Sequence, residues 1–345
     1  MADNGLSRMS LTEISGAIAK HEVSSKEVVQ NTLELLEQQG NALNCVARLF
    51  PEDALTEAEL ADQELSSGNS RGPLHGVPLT HKDMFYRNGK ITACGSRICE
   101  NYIPSVTATA LIKLDTSGAL DIGRLNMVEF AYGLTGHNEI TGNVLNPLSP
   151  EHITGGSSSG PAAAVSGNLS YGSLGSDTGG SIRFPASCCG LVGMKPTYGL
   201  VSRYGAMPLS FSLDHIGPLT RTVTDCALLT QIISGPDEND PTSLKHQKQD
   251  YLEDIESGIN GIKIGVSRTH FFDQVDGEIL REMKNSLEVF RSLGADVMEI
   301  DLPESFDISN EMANIITAVE GSSAHRKWLK NRPEDYGRQT MKRLL

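Results

Sequence analysis

The sequence holds 345 residues, 39% of them apolar and 34 of them glycine, enough for a sizeable core and unlike a disordered or fibrous chain. Its 29 Lys and Arg against 43 Asp and Glu leave a formal charge of −14, a field that repels phosphate backbones and sets nucleic acid aside as a first partner. Six cysteines without framework or CxxC spacing, an N-terminus without an apolar core, and no run near the ~20 apolar residues of a membrane span predict reduced thiols in a soluble, cytoplasmic protein without membrane contact.

Taken in chain order, Leu11, Ile14, Ala17 and Ile18 recur at helical spacing. Ser24 and Glu27 form an S-x-x-E capping pattern ahead of a second helix marked by Val28, Val29 and Leu33 and closed at Gly40. Pro51 opens a third helix that ends in the polar loop SSGNSRGP. The run HGVPLTHKDMF places a short apolar strand before Lys82, a helix is predicted over 108–117, and ALDIGRLN reads as a buried strand. Past a serine- and glycine-rich segment the chain is turn-rich, and a helix is predicted over 224–234. The acidic stretch 236–250 reads as an exposed excursion, and GIKIGVSR, EILREMKNSLEVFRSLG and ADVMEIDLP then form a strand–helix–strand unit. Alternating strands and helices predict an α/β fold with a mixed central sheet covered on both faces. One domain is expected, with N-terminal helices over 1–70, a core over 71–235 and the strand–helix–strand region over 236–345.

The serine segment is the most informative. Gly155–Pro185 reads GGSSSGPAAAVSGNLSYGSLGSDTGGSIRFP, two serine-bearing glycine turns with Ser157 and Ser181 24 residues apart. Glycine permits φ > 0 and close approach to the main chain. Ser181 in SDTGGSIRFP can therefore expose a hydroxyl beside the N–H groups of Thr178, Gly179, Gly180 and its own, a nucleophile and an oxyanion hole in one turn. The same pattern also fits a plain glycine turn entering a helix. A serine nucleophile needs a base. His75, His81, His137, His152 and His215 are scattered, and no G-x-S-x-G elbow places one of them. Lys82 at the end of its strand is the other option, because a desolvated lysine loses its proton near neutrality. Taken alone, a strand-end lysine also reads as a solvated surface residue. No P-loop, no H-E-x-x-H and no clustered Cys/His spacing is present, so neither a metal nor another cofactor is expected.

These residues carry a resemblance to the amidase signature family. It extends from Gly155–Pro185 to HGVPLTHKDMF, GRLNMVEFAYG, GLVGMKPTYGLVSRYG and DHIGPLTR, densest over 74–225. The resemblance implies the amidase-signature fold and a Ser–cis-Ser–Lys triad on Lys82, Ser157 and Ser181, with a cis peptide between Gly156 and Ser157. It implies amide hydrolysis through an acyl-enzyme, with Ser158, Asp177 and Arg183 supporting the turns or the substrate. Two departures are visible. The first serine turn reads GGSSSGPA where members have GGSSGGSA, and members continue beyond the point where this sequence ends at MKRLL, so the fold is expected to lack the usual C-terminal part.

Within the family, NMVEFAYGLTGHN and VEGSSAHRKWLKNRPEDYG resemble stand-alone amidases more than the A subunit of glutamine-dependent tRNA amidotransferase. An inactive, shortened relative serving as an interaction module is the reading from outside enzymology. The expected partner is a small-molecule amide substrate, and a homo-oligomer is compatible with the sequence.

Overall fold

The computed structural model describes residues 5–245, 249–273 and 275–345. They form two compact units, Met1–Tyr251 with Ile315–Leu345, and Leu252–Asn314. The stretch Ile315–Leu345 groups with the first unit through contacts made by its side chains and backbone. The Phe130 ring lies 4.4 Å from the His325 ring and 5.8 Å from that of Trp328. The Arg332 guanidinium donates to the Ile98 carbonyl at 3.1 Å, and Glu129 accepts the Gly337 N–H at 3.0 Å.

In the first unit β1 (Val46–Leu49), β2 (Pro78–Lys82) and β3 (Leu120–Leu125) make one three-stranded sheet in the order β1-β3-β2. β1 runs antiparallel and β2 parallel to β3. β4 (Ser173–Asp177), β5 (Val192–Gly193) and β6 (His215–Thr220) make a second, antiparallel sheet in the order β4-β6-β5. The two sheets meet at β2 and β4, where His81 Nδ1 accepts the Leu174 N–H at 3.2 Å and the Thr80 hydroxyl donates to Ser170 at 2.9 Å. Lys82 is thereby held at the seam.

Helices α1 (Leu11–Ala19), α2 (Ser25–Leu35) and α3 (Pro51–Ser66) bury Leu11, Ile14, Val29, Leu33 and Ala58. Ser10 and Glu13 form a full capping box on α1, and Ser24 caps α2 through the Glu27 N–H at 3.1 Å. The helices α4 (Thr109–Thr116), α5 (Ser159–Ser166), α6 (Arg183–Cys188) and α7 (Val223–Ile233) cover the sheets. α5 lies inside: Ala162, Ala163, Ala164 and Val165 are all fully buried. A Cβ on Gly160 would fall 2.3 Å from the Asn126 carbonyl oxygen, so only glycine lets α5 start against that strand end.

The stretch expected as an exposed excursion is pinned where it is described; residues 246–248 lie outside the described residues. Asp237 accepts the Thr109 and Ser202 hydroxyls, Asp240 is buried beside Arg203, and the Leu244 N–H donates to Gly199 at 2.8 Å. Acidic side chains that look solvated in sequence are here acceptors for neighbouring hydroxyls and backbone.

The second unit contains the expected strand–helix–strand: β7 (Lys263–Val266), α8 (Gly277–Ser292) and β8 (Asp296–Glu299), with β7 and β8 parallel and Lys263 opposite Asp296. α8 buries none of its residues, as expected for one helix over a two-stranded sheet. Two further helices, α9 (Ser309–Asn331) and α10 (Arg338–Leu344), follow. Among the described residues no helix is long and apolar enough to cross a membrane.

Candidate active site

Lys82, Ser157 and Ser181 lie together at the seam of the two sheets, all nearly or fully buried. β2 delivers Lys82 as its last residue, opposite Leu125 of β3. The Lys82 Nζ stands 2.7 Å from Ser157 Oγ and 2.8 Å from Ser176 Oγ. Among the described residues the amine makes no ion pair. Burial therefore pushes the Lys82 pKa down to about 7, although Asp214, Asp177 and the Cys94 thiol act in the opposite direction. An amine in that state exchanges its proton at neutral pH.

Ser157 follows a cis peptide bond from Gly156. Its turn is fixed from below. Ser158 Oγ contacts the Ser176 backbone, donating to the carbonyl at 3.3 Å and accepting the N–H at 3.4 Å. The approach is close enough that a Cβ on Gly175 would sit 2.6 Å from Ser158 Oγ. The hydrogen bonds of the described residues include none between the Ser157 and Ser181 hydroxyls. The Ser158 N–H, which donates to the Ser181 carbonyl at 3.3 Å, joins the two turns.

The Ser181 turn is braced by Asp177, a fully buried carboxylate at the end of β4. It accepts the Gly180 N–H at 2.8 Å, the Ile182 N–H at 3.2 Å, and the Arg183 side chain at 2.9 and 2.8 Å. Burial works to raise its pKa, but Arg183 and these N–H groups outweigh it and hold the carboxyl below its ordinary value. This corrects one expectation: the Gly180 N–H is spent on Asp177 rather than left for an oxyanion. The N–H groups of Thr178, Gly179 and Ser181 make no hydrogen bond within the described residues. Gly179 has open space around it, with nothing within 4 Å of an added Cβ. Asp177, Arg183 and Ser158 thus hold the turns.

Sequence reasoning misses Ser176, which shares Lys82 with Ser157. A strand's alternation could have placed it, since Ser176 and Asp177 must point to opposite faces, but SLGSD does not read as a strand. Among the described residues no histidine side chain hydrogen-bonds Ser157 or Ser181. His81 is fully buried, and burial pushes its pKa down to about 3; His75 bridges Ala61 and Arg71; His215 contacts the Leu213 carbonyl at 2.6 Å. All six cysteines are free, and Cys189 packs with Ala162, Ile182 and Leu219. A cavity of about 210 Å³ lies against Ser176, lined by Met84, Met207, Phe211, Asp214 and Ile216 among others.

The fold and this seam define an α/β protein of the amidase class. The family model described as Amidase matches residues 27–345, and the chain belongs to the amidase signature family. It is 38% identical to the A subunit of the glutamyl-tRNA(Gln) amidotransferase of Lachnospira eligens, over 96% of this chain and 73% of that protein. It also resembles, at 34% identity and a TM-score of 0.92 over 97% of this chain and 73% of the other, a chain solved in an inhibitor-bound, vestigial protein complex that reveals the origins of an s-triazine catabolic enzyme. The native peptide amidase of Stenotrophomonas maltophilia is similar at 29% identity and a TM-score of 0.87, over 97% of this chain and 75% of that one.

Proposed function

We propose that the chain is an amidohydrolase that cleaves a carboxylic amide through Ser181, with Ser157 as proton relay and Lys82 as base. The observation that carries this reading is the fully buried Lys82 amine, 2.7 Å from Ser157 Oγ and, among the described residues, without a carboxylate partner. When neutral, its lone pair takes the Ser157 proton while an N–H donates to Ser176. Ser157 takes the proton of Ser181 as Ser181 Oγ bonds to the carbonyl carbon. The N–H groups of Thr178, Gly179 and Ser181 are the free donors for the resulting oxyanion, a role worth roughly 3–4 kcal/mol per donor elsewhere. Collapse breaks the C–N bond as Ser157 returns a proton to the amine, and water then releases the acid from Ser181. The family membership and the likeness to a peptide amidase support amide hydrolysis.

A second reading has its own observation: the similar curated relatives include several glutamyl-tRNA(Gln) amidotransferase A subunits. In that role the chain would release ammonia from glutamine for a partner. The chain in the vestigial complex adds a likeness to a protein solved in an assembly. A panel of aliphatic, aryl and peptide amides plus free glutamine, assayed on the purified protein, separates the readings. Release of amine by the protein alone, abolished in Ser181→Ala, supports the hydrolase. Ammonia from glutamine alone in the panel, and only with added partner subunits, supports the transferase.

A further inference from the structure

The triad leaves one buried carboxylate at the site without a role. Asp214 lies just ahead of β6 and is 9% exposed. One of its oxygens accepts the Thr178 hydroxyl at 2.5 Å. The other accepts the N–H groups of Leu209 at 2.8 Å and Ser210 at 3.0 Å. Thr178 is the first residue of the turn that ends in Ser181, so this bond reaches from β6 across to the oxyanion donors. The loop that presents Leu209 and Ser210 is itself stapled. Glu320 of α9 accepts the Ser210 and Ser212 hydroxyls at 2.5 Å each and the Ser212 N–H at 3.0 Å.

We propose that Asp214 is a positioning residue of the reaction: its carboxylate anchors the oxyanion turn through Thr178, while Glu320 fixes the loop that aims two N–H groups at it. The proposal rests on the Ser–Ser–Lys reading. A carboxylate suits the position because both of its oxygens accept, two loop N–H groups on one and the Thr178 hydroxyl on the other, whereas an amide has a single acceptor oxygen. The groups facing Lys82 are Asp214, Asp177 (paired with Arg183), the Cys94 thiol and the hydroxyls of Ser157 and Ser176; of the charges that favour its protonated form, Asp214 acts most strongly. Asp214 in turn faces Thr178, the Leu209 and Ser210 N–H groups and Arg203, and burial raises its own pKa.

The test measures the rate of Ser181 labelling by a fluorophosphonate probe as a function of pH, on the full chain and on Asp214→Asn, Thr178→Val and Thr178→Ser. Asp214→Asn is expected to lower the alkaline plateau about tenfold or more. It also moves the acid limb to lower pH, because Lys82 loses the charge that favours its protonated form. Thr178→Val lowers the plateau and Thr178→Ser restores it. An alkaline plateau in Asp214→Asn equal to the parent's, or Thr178→Val labelled at the parental rate, overturns the proposal. Should Asp214→Asn not fold, the Thr178 pair decides. A parent that does not label at Ser181 sinks the triad reading itself, whereas labelling that needs Lys82 but ignores Asp214 and Thr178 sinks only this inference.

Discussion

The role proposed for Lys82 follows from its hydrogen-bond partners being hydroxyls. A buried ammonium paired with a carboxylate keeps its proton; one whose hydrogen bonds among the described residues go to Ser157 and Ser176 loses it more readily. Since its folded pKa is pushed down to about 7, the amine is protonated and idle below that pH and free to accept a proton above it. Turnover is therefore expected to rise with an acid limb near pH 7, and Lys82→Ala should lose both the limb and most of the rate. A steady-state pH profile on any amide that the protein hydrolyses checks this; an unshifted limb in Lys82→Ala would exclude the role. At this scale the sequence is readable only through motif likeness, because a lysine after PLTH looks solvated on its own. Ser176 is missed because SLGSD does not read as a strand, so the alternation that would place it has nothing to start from. The engagement of the Gly180 N–H depends on where the Asp177 carboxylate points.

The element that does most to place the chemistry is the short strand β4 with the turns on either side. Its sequence SLGSD has no β-branched or aromatic residue, so propensity does not announce it. Its neighbour β6 carries Pro218 in the middle of the sheet, which argues against a strand until the pairing is seen. Small residues are required because the Ser158 and Leu219 side chains press on the backbone at Gly175, and the Asn126 and Cys45 backbone presses on Gly160. Gly175 lets the Ser157–Ser158 turn rest on β4, and Gly160 lets α5 rest on the end of β3. Gly175→Ala should push Ser158 away, costing about 1–3 kcal/mol of stability as an overpacked site does and displacing Ser157 from Lys82. The measurement is a denaturant titration alongside activity. A variant as stable and active as the parent would contradict the packing argument. The amphipathic N-terminal helices, by contrast, are legible from periodicity, because they bury one face and expose the other; the strand–helix–strand unit is legible from its apolar pattern although none of its strand or α8 residues is fully buried.

Over the whole molecule the alternation of strands and helices points to the α/β class, and the dense motifs over 74–225 point to the family. The division into two units is not legible. What returns Ile315–Leu345 to the first unit is a set of single contacts, Glu320 to Ser210, the rings around Phe130, and Arg332 to Ile98, between residues about one hundred to more than two hundred positions apart. Neither motifs nor periodicity record such contacts. In the proposed mechanism Lys82 and Ser157 together activate Ser181. The most direct measurement is peptide mass spectrometry of the protein after fluorophosphonate treatment at neutral pH. One adduct is expected, on the peptide bearing Ser181, slowed roughly 10²-fold or more in Ser157→Ala and in Lys82→Ala, as happens when a general base is lost. An adduct on another serine, or labelling of Ser181 at the parental rate in both variants, would contradict it.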